Sequence, residues 1–198
     1  TILAFAVFSF VFKGISGMTV SEAITMCIQT RFSYIITTVP GFIFLFMFSN
    51  ILWSFGIHGP QVLQPIYVAT MLVALLENTD AVLAGGVATN IFNRSFISVF
   101  SAGTGSGMTG MLALAILLFG KRKEQRAVAK LSLVPAVFNI NEPMIFGLPI
   151  VMNPIYAIPF ILAPVVSITW GYVMTAIGFA TPMAYAIPAT TPIILKSF

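Results

Sequence analysis

Long uncharged runs alternate along this chain with short polar interruptions, and three stretches carry no Asp, Glu, Lys or Arg: residues 32–76, 95–120 and 143–195. Crossing the ~30 Å hydrocarbon core of a bilayer takes about 20 helical residues, so each run leaves room for crossings or half-crossings. The uncharged, Phe-rich run Ile35 to Ile57 predicts one transmembrane helix, bent near Pro40-Gly41 and ending at His58-Gly59-Pro60. Ile66 to Leu76 and Ala81 to Phe92 are too short to span, and they flank the polar group Glu77-Asn78-Thr79-Asp80. Two half-length pieces around a polar turn predict a re-entrant hairpin over 58–94, tolerated at membrane depth where backbone is buried in protein or lines a watery cavity. Full helices with different ends are the alternative. The same pattern recurs in Leu131 to Phe138 and Met144 to Met152 around Asn139-Ile140-Asn141-Glu142-Pro143, and it predicts a second hairpin over 131–154.

Ile155 to Ala180 is uncharged and predicts a spanning helix about 39 Å long, with room to tilt or to kink at Pro159 or Pro164. Thr181 to Pro192 holds three prolines and three threonines and should be irregular, lining the same cavity as the hairpins. Near the start, residues 13–34 are the most polar part of the N-terminal third. Thr19-Val20-Ser21-Glu22 there fits a capping box, so a short amphipathic helix at the membrane interface is expected. Ala102 to Gly110 holds four glycines in nine residues. It is read either as close helix packing through small residues or as an unwound segment whose amides and hydroxyls face a ligand. No Lys-Ser or Lys-Thr follows the glycines, so a phosphate-binding P-loop is not supported.

Composition confirms the solvent. Hydrophobic residues make up 59% of the chain, charged residues 7%, and mean hydropathy is +1.03, whereas charged residues are about a quarter of a soluble globular domain. The fold class expected is all-α: a polytopic membrane protein with transmembrane helices and two re-entrant helical hairpins. The net charge of +4 does not indicate a nucleic-acid partner, because five of the nine basic residues fall between Lys121 and Lys130. By the positive-inside rule that marks loop 120–130 as cytoplasmic. The chain opens at Thr1 without an initiator Met, inside an apolar run, and is read as one substrate-binding membrane domain over 1–198, cut from a longer protein. Cys27 is the only cysteine, which leaves no internal disulfide and no basis for a metal site, and reads as a small apolar filler. No cofactor is expected.

A carboxylate at the bilayer centre costs at least ~2.5 kcal/mol, so one found there usually faces a cavity, a partner or a substrate path. Glu142 is the strongest pointer of this kind, with Pro143 suited to the first position of a helix. A salt bridge to Arg94 or to the loop cations is the structural alternative. His58 is the other candidate, its alternative being satisfaction by backbone carbonyls in the break at Gly59-Pro60. One carboxylate, one imidazole, the amides of Asn139 and Asn141 and a few hydroxyls suit an uncharged polyhydroxylated ligand. Trp53 reads either as a ring stacked on a sugar or as an interface anchor. No Ser-His-Asp spacing points to nucleophilic catalysis.

These residues resemble the membrane-embedded IIC component of the bacterial phosphoenolpyruvate-dependent sugar phosphotransferase system, in its lactose, cellobiose and diacetylchitobiose group. The resemblance rests on Phe55-Gly56-Ile57-His58-Gly59, on the glycine-rich tract after Phe100, and above all on the string from Val134 through Asn139-Ile140-Asn141-Glu142-Pro143 to Asn153-Pro154. It implies a disaccharide held between two hairpins of a permease in the bacterial inner membrane, with His58, Gly59 and Glu142 at the sugar. It also implies a partner IIB protein, itself served by IIA, that carries phosphate on its own cysteine and donates it to the sugar 6-hydroxyl on the cytoplasmic side. Glu142 would orient or deprotonate that hydroxyl, and this chain carries no phospho-donor of its own. Full-length members form homodimers through further helices, so the chain looks truncated at both ends, and Ala189 stands where the family often has Trp. Two other readings stay open: an ion-coupled secondary transporter, and a truncated, non-transporting membrane subunit.

Overall fold

In a computed structural model, residues 2–197 are described, apart from the side chains of residues 2–5, 21, 24, 25, 27–31 and 197. The expectation for Cys27 therefore lies outside the described side chains. Helices account for all the regular secondary structure among the described residues, and the single β-bridge, Gly103 to Gly105, is isolated.

The chain begins with α1 (Ile2–Ser16) and α2 (Val20–Ile36), separated at Gly17, whose φ of +73° suits a residue without Cβ. The 13–34 stretch is thus two helices around a turn and not one. The capping box is present: the Thr19 hydroxyl accepts from Glu22 N–H at 3.2 Å, and the Glu22 carboxylate accepts from Thr19 N–H at 2.6 Å.

Next come α3 (Val39–Ser54) and α4 (Gly59–Leu83). Pro40 does not bend a longer helix. It starts α3, because a proline is tolerated only in the first turn, and Thr38 caps that turn by accepting from Gly41 N–H at 3.2 Å. Helix α4 likewise corrects the expected turn at Glu77-Asn78-Thr79-Asp80, since it runs through all four residues. The polar groups of Glu77, Asn78 and Thr79 are satisfied sideways, by chain packed against the helix. Asn78, 1% exposed, accepts from Thr89 and Asn90 N–H and donates to the carbonyls of Asn90 and Met183. The Thr79 hydroxyl donates to the carbonyls of Leu75 and Ala184, and Glu77 accepts from the Asn90 amide. The reversal comes later, over residues 84–93, with Gly85 at φ +79°.

After the reversal a short α5 (Arg94–Phe96) leads into a π-turn over Ile97–Ser101, an irregular stretch, and α6 (Thr109–Phe119). The glycine tract is both unwound and closely packed, and its Gly105 N–H is taken up by Asn139 and by the Ala102 carbonyl. It is unwound, with Gly105, Gly107 and Met108 all at positive φ. It is also tightly packed: a Cβ on Gly107 would lie 2.1 Å from the Phe160 ring.

The basic stretch opens α7 (Lys123–Val137), and Arg126 turns back to donate to the Leu117 and Gly120 carbonyls at the end of α6. The chain breaks at residues 138–141 and resumes in α8 (Glu142–Gly147), packed against α7. Helix α9 (Pro154–Ala176) follows, then an irregular strap. The strap is held by side chains of α4 and of the segment that follows the reversal. Met183 O accepts from both Asn78 and Asn93, Tyr185 O from Ser95, and Ile187 O from Ser98.

Among the described residues, three segments are long and apolar enough to cross a membrane: Gly59–Leu83, the broken segment Arg94–Phe119, and Pro154–Ala176. Many large apolar side chains face outward while several polar ones are buried. Phe10, Leu83, Phe119 and Ile155 are exposed, while Ser49, Asn50, Asn78, Asn93, Ser95 and Thr109 are buried. Two apolar clusters hold the bundle together, one around Phe42, which stacks on Phe92 at 4.3 Å, and one around Trp53, Met144, Ile145 and Phe160.

Candidate functional site

The two breaks that frame α4 and α8 bring His58 and Glu142 face to face. His58 caps α4, its Nδ1 accepting from Gln61 N–H at 3.4 Å. A neutral imidazole that accepts at Nδ1 carries its proton on Nε2. That Nε2 points to Glu142 Oε1 at 3.9 Å. The other carboxylate oxygen of Glu142 accepts from Asn141 N–H at 3.1 Å, so one oxygen is anchored and the other faces the imidazole. Both side chains are open to a ligand, 39% exposed for His58 and 44% for Glu142.

The approach depends on backbone that only glycine allows. A Cβ on Gly59 would lie 2.0 Å from Ser49 O, so Gly59 serves the site by letting α4 begin against α3, and it is buried. Asn139, at φ +72°, accepts from Gly105 N–H at 2.7 Å and ties the second hairpin to the glycine tract. Asn141 is 6% exposed and turned into that same contact, where a Cβ on Gly105 would lie 2.4 Å from its own Cβ.

Trp53 fits neither of its expected roles. It is 3% exposed and belongs to the core, so it offers no face to a sugar and does not anchor at an interface. Its indole backs the His58 ring at 4.4 Å and meets Phe146 edge-on at 6.2 Å, which fixes the imidazole from behind. The salt bridge between Glu142 and Arg94 is not formed; Glu142 pairs with His58 instead.

Beside the pair lies a cavity of about 200 Å³, lined among others by Gln61, Gln64, Arg94, Ser101, Asn139 and Ala189. His58 and Glu142 adjoin it through their neighbours: Gln61 is bonded to His58, and Asn139 stands three residues before Glu142. Ala189 reaches the lining from the strap, as expected for that irregular segment. Gln61 and Gln64 were not singled out from the sequence. Their spacing of three from His58 and from each other is the signal, and it becomes readable once α4 is known to start at His58.

Comparison with known proteins places this arrangement. A family model described as Phosphotransferase system, EIIC matches residues 1–164. The chain is similar to the PTS system cellobiose-specific EIIC component of Lactococcus lactis subsp. lactis (strain IL1403), 34% identical over 90% of this chain and 39% of that protein. It is also similar to the PTS system oligo-beta-mannoside-specific EIIC component of Bacillus subtilis (strain 168), 37% identical over 80% of this chain and 36% of that protein. The crystal structure of the transporter ChbC, the IIC component from the N,N'-diacetylchitobiose-specific phosphotransferase system, superposes with a TM-score of 0.80. It is 30% identical, and the match covers 96% of this chain and 44% of that one. The chain thus spans less than half the length of each of these relatives.

Proposed function

The chain belongs to the EIIC family of the phosphotransferase system, and on that premise we propose that it forms the saccharide-holding part of a permease of the bacterial inner membrane. The permease carries a β-linked disaccharide inward while a partner IIB phosphoprotein phosphorylates the sugar 6-hydroxyl. The relatives named for cellobiose, oligo-β-mannosides and diacetylchitobiose support a β-linked saccharide as the ligand class. IIB and IIA are the cytoplasmic partners, acting from the side of the basic stretch 120–130, and the full-length permease works as a homodimer.

One observation carries this reading: the 3.9 Å gap between His58 Nε2 and Glu142 Oε1. It is too long for a direct hydrogen bond, yet a hydroxyl oxygen about 2.8 Å from each fits between them. The hydroxyl accepts from the Nε2–H of His58 and donates to Glu142. In the transfer step the hydroxyl oxygen forms its bond to phosphorus as the sulfur–phosphorus bond on the partner's cysteine breaks. The proton passes to the Glu142 carboxylate, and the thiolate leaves with the partner. The carboxylate acts as orienting group and general base, and Asn141 N–H keeps its second oxygen in place.

Uptake by membrane vesicles carrying the full-length permease tests this. Accumulation of phosphorylated disaccharide that requires phosphoenolpyruvate is expected. Accumulation of free disaccharide driven by a proton or sodium gradient would overturn it.

A further inference from the structure

Positive charge is concentrated at one place on the surface. Five of the nine basic residues lie between Lys121 and Lys130, with Glu124 as the single acid among them. Arg126 is already used, since its guanidinium donates to the Leu117 and Gly120 carbonyls. Lys121, Arg122 and Lys123 are consecutive and exposed. Among the described residues none of the three has an ion-pair partner, because the one pair formed there joins His58 to Glu142.

The segment before them sets their height relative to a bilayer. Arg94–Phe119 is long and apolar enough to span, and its last two side chains, Leu118 and Phe119, are 64% and 80% exposed. Gly120 is extended, at φ −68° and ψ 136°, so Lys121 stands about 7 Å beyond Phe119. The headgroup layer on each side of the hydrocarbon core is about 5–8 Å deep. The cations therefore begin at headgroup level, and their flexible stems reach back along it. The same end of the chain is fixed to the elements around Glu142. Gln125 donates to the Tyr156 hydroxyl at 2.5 Å, and Tyr156 packs on the cluster of Trp53, Met144 and Ile145. Val128 closes on α8, where a Cβ on Gly147 would lie 2.6 Å from its side chain.

We propose that Lys121, Arg122 and Lys123 form a docking surface for anionic phospholipid headgroups, with Leu118 and Phe119 against the acyl chains, and that lipid held there steadies α7 and α8. Charge complementarity selects an anion, since three unpaired cations face outward together. Position selects a lipid, since an acidic protein on these cations would also have to cover the exposed Leu118 and Phe119. A guanidinium presents two parallel N–H groups to a lipid phosphate, and the ammonium groups add point charge on either side. This surface does not depend on what is held at His58 and Glu142.

The test titrates the full-length permease, stripped of lipid in a neutral detergent, with phosphatidylglycerol and separately with phosphatidylcholine, and follows its unfolding temperature. In the wild type phosphatidylglycerol raises that temperature at a concentration about tenfold or more below phosphatidylcholine, and the preference shrinks as salt rises. Each cation near an anionic surface is worth about fivefold. Arg122→Gln thus moves the phosphatidylglycerol midpoint upward by about fivefold, and Lys121→Gln, Arg122→Gln and Lys123→Gln together erase the preference. Amide exchange over residues 123–147 slows with phosphatidylglycerol in the wild type and not in the triple variant. Phe119→Trp keeps the proposal testable if the triple variant does not fold: with the wild-type signal subtracted, its fluorescence is quenched more by brominated phosphatidylglycerol than by brominated phosphatidylcholine. A wild type without preference, a triple variant that keeps it, equal quenching by the two brominated lipids, or exchange over 123–147 that ignores the lipid overturns the proposal. So does a IIB protein whose binding to the permease in phosphatidylcholine falls in the triple variant while the lipid preference stays, which gives the surface to an acidic protein.

Discussion

The imidazole of His58 is held between two aromatic and polar supports, with Trp53 at 4.4 Å behind it and the N–H of Gln61 fixed on its Nδ1, and only its Nε2 is left to face Glu142. Capping and ligand binding therefore use different atoms of one residue. His58→Asn keeps a good N-cap acceptor and loses the Nε2 donor. Its expected outcome is unchanged thermal unfolding together with disaccharide binding weakened by about tenfold, the loss of one well-placed hydrogen bond to a polar ligand. His58→Ala removes both functions and lowers both readouts.

Asn139 is the joint between the second hairpin and the glycine tract. Asn139→Leu removes one of the two acceptors of Gly105 N–H, leaving the Ala102 carbonyl at 3.2 Å, and places a branched side chain at φ +72°. A destabilisation of about 0.5–1.5 kcal/mol is expected from the lost hydrogen bond, with the backbone strain in addition. Asn139→Asp keeps the acceptor and tolerates the backbone, so it is milder. Thermal unfolding of the two purified variants side by side checks the order.

The strap that brings Ala189 to the cavity hangs on Asn78 and Asn93, both of which donate to Met183 O. Asn78→Ala leaves the N–H groups of Thr89 and Asn90 and the carbonyl of Met183 without that partner. Proteolysis or amide exchange at residues 181–192 should accelerate, while exchange within α7 and α8 stays as it was.

These interactions show what could be read from the chain and what could not. The break at Asn139 to Pro143, the capping box at Thr19 and Glu22, and the span of α9 were legible because each signal is local: a carboxylate beside a proline, a Thr three residues before a Glu, an uncharged run of sufficient length. The continuity of α4 was not. Glu77, Asn78 and Thr79 look like a turn until their partners at residues 89–90 and 183–184 are in place, and no local pattern shows that distant backbone covers them. The burial of Trp53 and the placement of Arg94 in a cavity are hidden for the same reason, since both are set by packing between helices.

At the N-terminal end, the backbone N–H and the hydroxyl of Thr19 hold the Glu22 carboxyl below its usual range. Its folded pKa is thus lower than its unfolded one. The stabilising contribution is full above the unfolded value and is lost as pH falls through the folded value. Amide exchange in the first turn of α2 should quicken on acidification through that window, and Glu22→Gln, which cannot titrate, should remove the pH dependence. A dependence that persists in that variant would show that another group titrates there.

The pairing of His58 with Glu142 as the holder of a saccharide hydroxyl is tested most directly by the affinity of full-length Glu142→Gln for a labelled β-linked disaccharide. The amide keeps the shape and loses the charge, so a protein that unfolds at the wild-type temperature and binds about tenfold more weakly is predicted. Wild-type affinity in that variant would contradict the account.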